Sequence, residues 1–184
     1  MKTVVKPCHV PWWVSPSMAG LTLTHFQDDR PACTVVFGGG RAQAHGKVDN
    51  RRIEISFENA YRARSCQSAS LANGRDALDG HFELVGVPDQ SSEAAFETTW
   101  QHWLKTGICP DPSFYVATRS QWLDEAEGAM SEGSELRHYV LAGHDGYVEI
   151  LSSGYTWREW LWPSGRRDQY VSLDDVVASG SGVE

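Results

Sequence analysis

The chain has 184 residues, of which 41% are hydrophobic and 22% are charged, and its formal net charge is −8 at pH 7. A chain of this length forms about one domain with its own core, and its ordinary composition excludes disordered and fibrous classes. Residues 76–184 contain nineteen acidic residues and only six basic ones. Because this half repels phosphates, we expect no nucleic-acid partner.

The amino-terminal segment MKTVVKPCHVPWW contains no apolar run long enough for a signal peptide. No window of the chain approaches the roughly eighteen uninterrupted apolar residues of a membrane span. We therefore expect a cytoplasmic protein without a membrane partner. The cysteines stand at wide, unrelated spacings, which is typical of scattered reduced thiols: Cys8, Cys33, Cys66 and Cys109.

Four short strands are predicted in the first half of the chain. Residues 20–27 alternate apolar and polar side chains, and the β-branched run 33–37 stops at three successive glycines, which favours an antiparallel hairpin. Residues 52–58 alternate in the same way, and 60–66 form a fourth strand. The Ser-, Asn-, Asp- and Gly-rich residues 67–80 predict a loop between the basic half and the acidic half.

The hydrophobic period changes in residues 92–107 to that of an amphipathic helix. Ser92 at the start and Gly107 at the end are typical helix caps. The apolar side chains fall at i, i+4, i+7 and i+8 on one helix face: Phe96, Trp100, Trp103 and Leu104.

The rest of the chain returns mainly to strands. The predicted elements are a strand at 113–117, a short helix capped by Ser120, a hairpin of 136–142 and 147–151, and a last strand at 155–162. Residues from about 176 read as a flexible tail. Strands around one long helix predict a single α+β domain over residues 1–184. We expect one curved, mainly antiparallel sheet packed by the long amphipathic helix and a short second helix.

Motifs for metal, cofactor and nucleophilic chemistry are missing from the sequence. The pairs CxxC and HxxxH, the elbow GxSxG and a P-loop do not occur, so we expect neither a metal nor a cofactor. His138 and Glu149 are the candidates for acid–base catalysis, because they flank one predicted hairpin with short cross-strand distances. Solvated strand faces also explain both residues and are the favoured interpretation, so an enzyme is the less favoured one.

The aromatic stretch YTWREWLW is predicted to form a strand with an indole on each face, Trp157 on one and Trp160 on the other. Either the helix bearing Trp100 and Trp103 covers one of these faces, or the stretch is exposed and binds a partner. In the second case aromatic anchors and an acidic rim form the binding site: Tyr155, Trp157, Trp160, Trp162, Asp124, Glu125 and Glu127.

The run HYVLAGHDGYVEILSSGYTWREW, preceded by SFYVATRSQWL, resembles segments of small bacterial domains, some of which are immunity proteins that neutralise a cognate toxin. The resemblance covers about the last third of the chain and carries no catalytic motif to transfer. The missing catalytic motifs and the uneven charge favour a non-enzymatic protein-binding module. The resemblance implies one form of it, an immunity-type toxin inhibitor acting through the acidic, tryptophan-rich second half. The alternative is a small-molecule-binding cup or a small enzyme that uses His138 and Glu149. The sequence leaves the oligomeric state open.

Overall fold

The computed structural model describes residues 2–15, 20–26, 32–43, 48–67, 78, 80–88, 92–127, 135–144 and 146–161. This part of the chain forms eleven strands and two helices. The elements are β1 Thr3–Pro7, β2 Trp13–Val14, β3 Thr22–Phe26, β4 Ala32–Ala42, β5 Val48–Glu58, β6 Arg62–Gln67, β7 Phe82–Leu84, α1 Glu93–Thr106, β8 Phe114–Arg119, α2 Gln121–Glu127, β9 Arg137–Ala142, β10 Gly146–Ser152 and β11 Gly154–Leu161.

The strands form two sheets. A six-stranded sheet has the order β6-β10-β9-β8-β1-β7, and a five-stranded sheet has the order β11-β5-β4-β2, with β3 also paired to β4. Neighbouring strands are antiparallel except β1 and β7, which run parallel. The hairpins predicted between the first two strands and between 136–142 and 147–151 are confirmed as β3–β4 and β9–β10.

The main core lies between the two sheets. It joins Val35 and Ile55 of the five-stranded sheet to Leu141 and Ile150 of the six-stranded sheet, all of them buried. Trp12 is fully buried at its centre, with its ring 5.3 Å from Phe37, 5.8 Å from Phe114 and 6.1 Å from Trp157. The molecule is therefore a β-sandwich in which the inner faces of two sheets cover each other.

The chain crosses between the sheets at one corner of the sandwich. The amide of Tyr61 donates to the Leu151 carbonyl oxygen at 2.8 Å, and the amide of Ser153 donates to the Glu58 carbonyl oxygen at 3.0 Å. Asn59 adopts a positive φ of 48° in the turn between β5 and β6. These contacts hold together the two turns at which β5 passes to β6 and β10 passes to β11.

The predicted α+β class, with one curved sheet packed by a long helix, is wrong. The helix itself is confirmed as α1, with the Ser92 hydroxyl accepting from the Ala95 amide and Gly107 in the left-handed region at φ 69°. However, α1 sits at one end of the sandwich beside β4 and buries only Trp103. Strand alternation shows which face of a strand is apolar but not what covers it, and here the covering element is a second sheet.

The three glycines that were expected to end a strand lie inside β4. A Cβ at Gly39 would stand 2.5 Å from the Trp13 carbonyl oxygen, and one at Gly40 would stand 2.5 Å from the Asp49 carbonyl oxygen. These glycines therefore permit close approach of neighbouring strands rather than a turn.

Of the predicted loop 67–80, residues 68–77 and 79 lie outside the described residues, as does the predicted tail from 176. Neither helix in the described ranges is long and apolar enough to cross a membrane.

Candidate functional site

His138 and Glu149 lie on the outer face of the six-stranded sheet, opposite the face that carries Tyr139 and Ile150 into the main core. Glu149 in β10 is directly across from Arg64 in β6; on its other side it is paired with Val140 of β9, two residues from His138. The Nε2 of His138 is 3.5 Å from Glu149 Oε1, and Arg64 Nε donates to Glu149 Oε2. The structure thus brings the two predicted residues together and adds an arginine.

Ser120, immediately before α2, contacts the other side of the His138 imidazole. Its hydroxyl oxygen is 2.7 Å from His138 Nδ1 and accepts the amide of Leu123 at 3.1 Å. Nε2 faces the Glu149 carboxylate, so we assign the ring proton to Nε2, and Nδ1 then accepts the Ser120 hydroxyl hydrogen. We call Ser120, His138, Glu149 and Arg64 the buried polar row.

The members of the buried polar row are shielded from solvent except at the arginine. The exposed fractions are 4% for Ser120, 1% for His138 and 2% for Glu149, whereas the Arg64 side chain is 52% exposed and its guanidinium lies 4.5 Å over the Trp122 ring. Burial raises the pKa of the Glu149 carboxyl, but hydrogen bonds from His138 and Arg64 outweigh it and hold that pKa below its usual value.

The buried polar row places a hydroxyl next to an imidazole and the imidazole next to a carboxylate. Catalytic triads that use general-base catalysis have the same sequence of groups. The surroundings of the row favour a structural role instead. Ser120 is enclosed and caps α2, and the row lies between apolar clusters that include Tyr147 on one side and Trp122 on the other. Its contacts tie α2 to strands β9, β10 and β6.

The predicted C-terminal binding patch is divided among separate locations. Tyr155 and Trp157 face inward and pack against the main core, whereas Trp160 lies on the opposite, outer face of β11 and is 38% exposed. Arg52 and Arg158 place their guanidinium groups 5.8 and 5.5 Å from the Trp160 ring. The inner face of β11 is thus covered by the other sheet and not by α1.

The acidic rim expected for that patch lies elsewhere. Asp124 and Glu125 are exposed on α2, which packs on the outer face of the six-stranded sheet, on the other side of the sandwich from Trp160. Trp162 and the Glu127 side chain are outside the described residues. The described members of the predicted set therefore do not form one surface.

A groove beside α1 was not predicted. It has a volume of about 390 Å³, and we call it the α1 groove; its walls are Trp13, Val48, Phe96, Glu97, Trp100, Gln101 and Leu104. Ring contacts run without interruption from Phe96 to Trp100 at 6.2 Å, to Trp103 at 5.6 Å and to Trp13 at 6.0 Å. A second groove of about 270 Å³ adjoins it at Leu104.

An ionic network stiffens the strands under this end of the sandwich. Arg51 contacts Asp49 at 2.6 Å and Glu159 at 3.0 Å, and Arg41 contacts the same Glu159 oxygen at 3.0 Å. Burial raises the pKa of the Asp49 carboxyl. Hydrogen bonds from the Arg51 side chain and the Arg41 amide lower it by more, so the pKa of Asp49 lies below its usual value. The network joins β4, β5 and β11.

Part of the α1 groove had a signal in the sequence. The helical spacing of Phe96, Trp100 and Leu104 identified one apolar face of α1, but that face was assigned to the core rather than to a groove. Trp13 and Val48 carried no such signal, because their part in the groove depends on how β2 and β5 meet α1. Contacts between elements that are distant in sequence cannot be read from periodicity.

The described cysteines are unpaired thiols, and burial raises the pKa of Cys8 and of Cys33 to about 12, which disfavours the reactive thiolate. Within the described ranges, no group of three or more His, Cys, Asp or Glu side chains is placed to hold a metal ion.

No protein-family model, curated protein or solved structure matches the chain, so the resemblance of its last third to immunity-type domains stays a prediction.

Proposed function

We propose that this chain is a non-enzymatic protein-binding module whose contact surface is the α1 groove. The observation that carries the proposal is the set of solvent-facing aromatic side chains along that groove, with Phe96 47% exposed and Trp100 half-buried. Large aromatic side chains exposed together in a groove are typical of interaction surfaces, and tryptophan is enriched among binding anchors.

The rigidity of its supports also favours this surface. Trp103 anchors α1 through a hydrogen bond from its indole to the Pro11 carbonyl oxygen, and the ionic network braces the strands beneath. A surface that is ordered before binding loses less conformational entropy when a partner docks.

The specific form of the proposal is an immunity-type inhibitor that occludes a bacterial toxin. Helix α1, which supplies five of the seven described groove walls, belongs to the acidic half of the sequence, and the formal net charge of −8 favours a basic partner.

The test is capture of a partner from the native host with matched variants. Immobilised wild-type chain and Val85→Ala should retain one stoichiometric partner, and Trp100→Ala should lose it. Val85 is the control because it is also apolar and 48% exposed, but does not line the α1 groove. Equal retention by all three chains, or the absence of a stoichiometric partner, would contradict the proposal. Circular dichroism establishes that each variant is folded.

Acid–base catalysis at the buried polar row is a second candidate, favoured by the 2.7 Å contact between the Ser120 hydroxyl and His138 Nδ1. A serine activated in this way reacts with fluorophosphonates. Labelling of Ser120 in the native protein, abolished by His138→Ala, would support this candidate. An unlabelled Ser120 in the folded chain would exclude it as a nucleophile.

A further inference from the structure

Three aromatic rings outside the α1 groove, each at least partly exposed at the surface, have a cation of this chain over the ring, whereas the described rings of the groove have none. Trp122, Trp160 and Tyr61 each carry an arginine guanidinium from this chain within 6 Å of the ring, namely Arg64 over Trp122, Arg52 and Arg158 over Trp160, and Arg62 over Tyr61. Within the described ranges, no arginine or lysine occupies the faces of Trp13, Phe96 or Trp100.

A carboxylate stands beside these rings. Glu97 is three residues before Trp100 on α1, a spacing that places the two side chains side by side on the helix surface. One Glu97 oxygen accepts from Gln101 Nε2 at 2.7 Å, and within the described part of the chain Glu97 makes no ion pair. Among the described walls of the groove, Glu97 is the only ionisable residue.

Aromatic faces next to an unpaired carboxylate attract a cation that can stack and accept an ion pair at once. A planar guanidinium does both, since it lies flat on an indole and binds a carboxylate with two N–H groups, whereas a lysine ammonium acts as a point charge. The chain itself shows this arrangement where Arg64 lies on Trp122 and binds Glu149.

We propose that the α1 groove binds an arginine side chain of a protein partner, with the guanidinium stacked on Trp100 and paired to Glu97. This inference rests on the proposed function, because it assigns the chemistry of the partner at the same surface. The net charge of −8, together with the absence of a basic side chain among those groove walls that the structure describes, supplies the charge complementarity.

The test is a titration of the full chain with the acetylated, amidated tripeptide glycine-arginine-glycine up to millimolar concentration. Two-dimensional NMR of the chain monitors binding. The expected result is a set of shifts centred on Glu97 and Trp100, with the citrulline tripeptide binding roughly threefold or more weakly, since citrulline keeps the shape and loses the charge. Equal binding of the arginine and citrulline peptides, shifts confined to another surface, or binding of neither peptide would overturn the inference. Equal binding of a lysine tripeptide would overturn the assignment to a guanidinium.

Two variants of α1 complete the test. Glu97→Gln should weaken binding of the arginine tripeptide roughly threefold, and Glu93→Gln should leave it unchanged, because Glu93 is acidic and exposed on the same helix but does not line the groove. Equal affinities for wild type and Glu97→Gln would overturn the inference.

The same variants separate this inference from the proposed function. Loss of the captured partner by Trp100→Ala together with full retention by Glu97→Gln would leave the α1 groove as a protein-binding surface and remove the arginine. Full retention by both variants would remove both. Loss of the partner by Trp100→Ala and weaker capture by Glu97→Gln supports both.

Discussion

The indole nitrogen of Trp103 in α1 donates a hydrogen bond to the carbonyl oxygen of Pro11 at 2.9 Å. Pro11 lies 92 residues earlier in the chain, next to the buried Trp12. Because Trp103 is the one buried side chain of α1, this contact fixes the helix to the end of the sandwich and shapes the α1 groove. The groove is therefore a product of long-range packing as well as of the helix sequence.

Replacing Trp103 tests how strongly this contact positions α1. Trp103→Phe removes the indole N–H and should lower the free energy of unfolding by about 1–3 kcal/mol, because the Pro11 carbonyl loses its donor. Trp100→Phe is the control, since Trp100 is half-buried and makes no hydrogen bond within the described ranges; its cost should stay below about 1 kcal/mol. Urea denaturation measures both, and equal losses would contradict the anchoring role.

Much of the local structure follows from the sequence, and the arrangement of the sheets does not. The helix caps Ser92 and Ser120, and the hairpin around residues 143–146, depend on side chains and turns within a few residues, so they were predicted correctly. β1 and β2 were missed, because they lie among Pro7 and Pro11 without clear alternation and are strands only through distant neighbours.

The candidate sites show the same difference between local contacts, which the sequence predicts, and long-range contacts, which it does not. The pairing of His138 with Glu149 was predictable because both flank one hairpin, whereas Arg64 and Ser120 join them from elements that the sequence could not place. The division of the aromatic stretch between core and surface was also out of reach. Alternation assigns Trp157 and Trp160 to opposite faces, but only the packing of the second sheet decides which face is inside.

The buried polar row should make stability depend on acid. Folding holds the pKa of Glu149 below the ordinary carboxyl value of 4.5, so this group stabilises the native state above that value, and the contribution is lost as the pH falls through the lowered pKa. At neutral pH, Glu149→Gln should lower the free energy of unfolding by about 1–3 kcal/mol, and the difference from wild type should shrink on acidification. Urea denaturation from neutral to acidic pH measures this, and a difference independent of pH would contradict it.

Two helix caps offer a comparison that isolates the Ser120–His138 contact. Ser92→Ala removes only the cap of α1 and should cost about 1 kcal/mol. Ser120→Ala removes the cap of α2 and also leaves His138 Nδ1 without its donor in a buried site, so it should cost at least about 1 kcal/mol more. Equal losses of unfolding free energy would show that the hydroxyl serves only as a cap.

The close approach of strands at Gly39 should not tolerate a methyl group. A Cβ there would lie 2.5 Å from both the Trp13 carbonyl oxygen and Ile53 Cδ1, so Gly39→Ala should lower the free energy of unfolding by about 1–3 kcal/mol and displace β2 from β4. Gly20→Ala is the control, because no atom of the described residues, its chain neighbours aside, lies within 4 Å of the added methyl group. Thermal unfolding of both variants decides the point, and matching midpoints would contradict the role of Gly39.

The most direct measurement of the central claim is hydroxyl-radical footprinting of the chain alone and in complex with its captured partner. If the α1 groove is the contact surface, Phe96 and Trp100 should become protected from oxidation, while Trp160, which is 38% exposed on the outer face of β11, should remain as reactive as in the free chain. Protection of Trp160 with unchanged oxidation of Phe96 and Trp100 would contradict the account and return the binding surface to the aromatic stretch of β11.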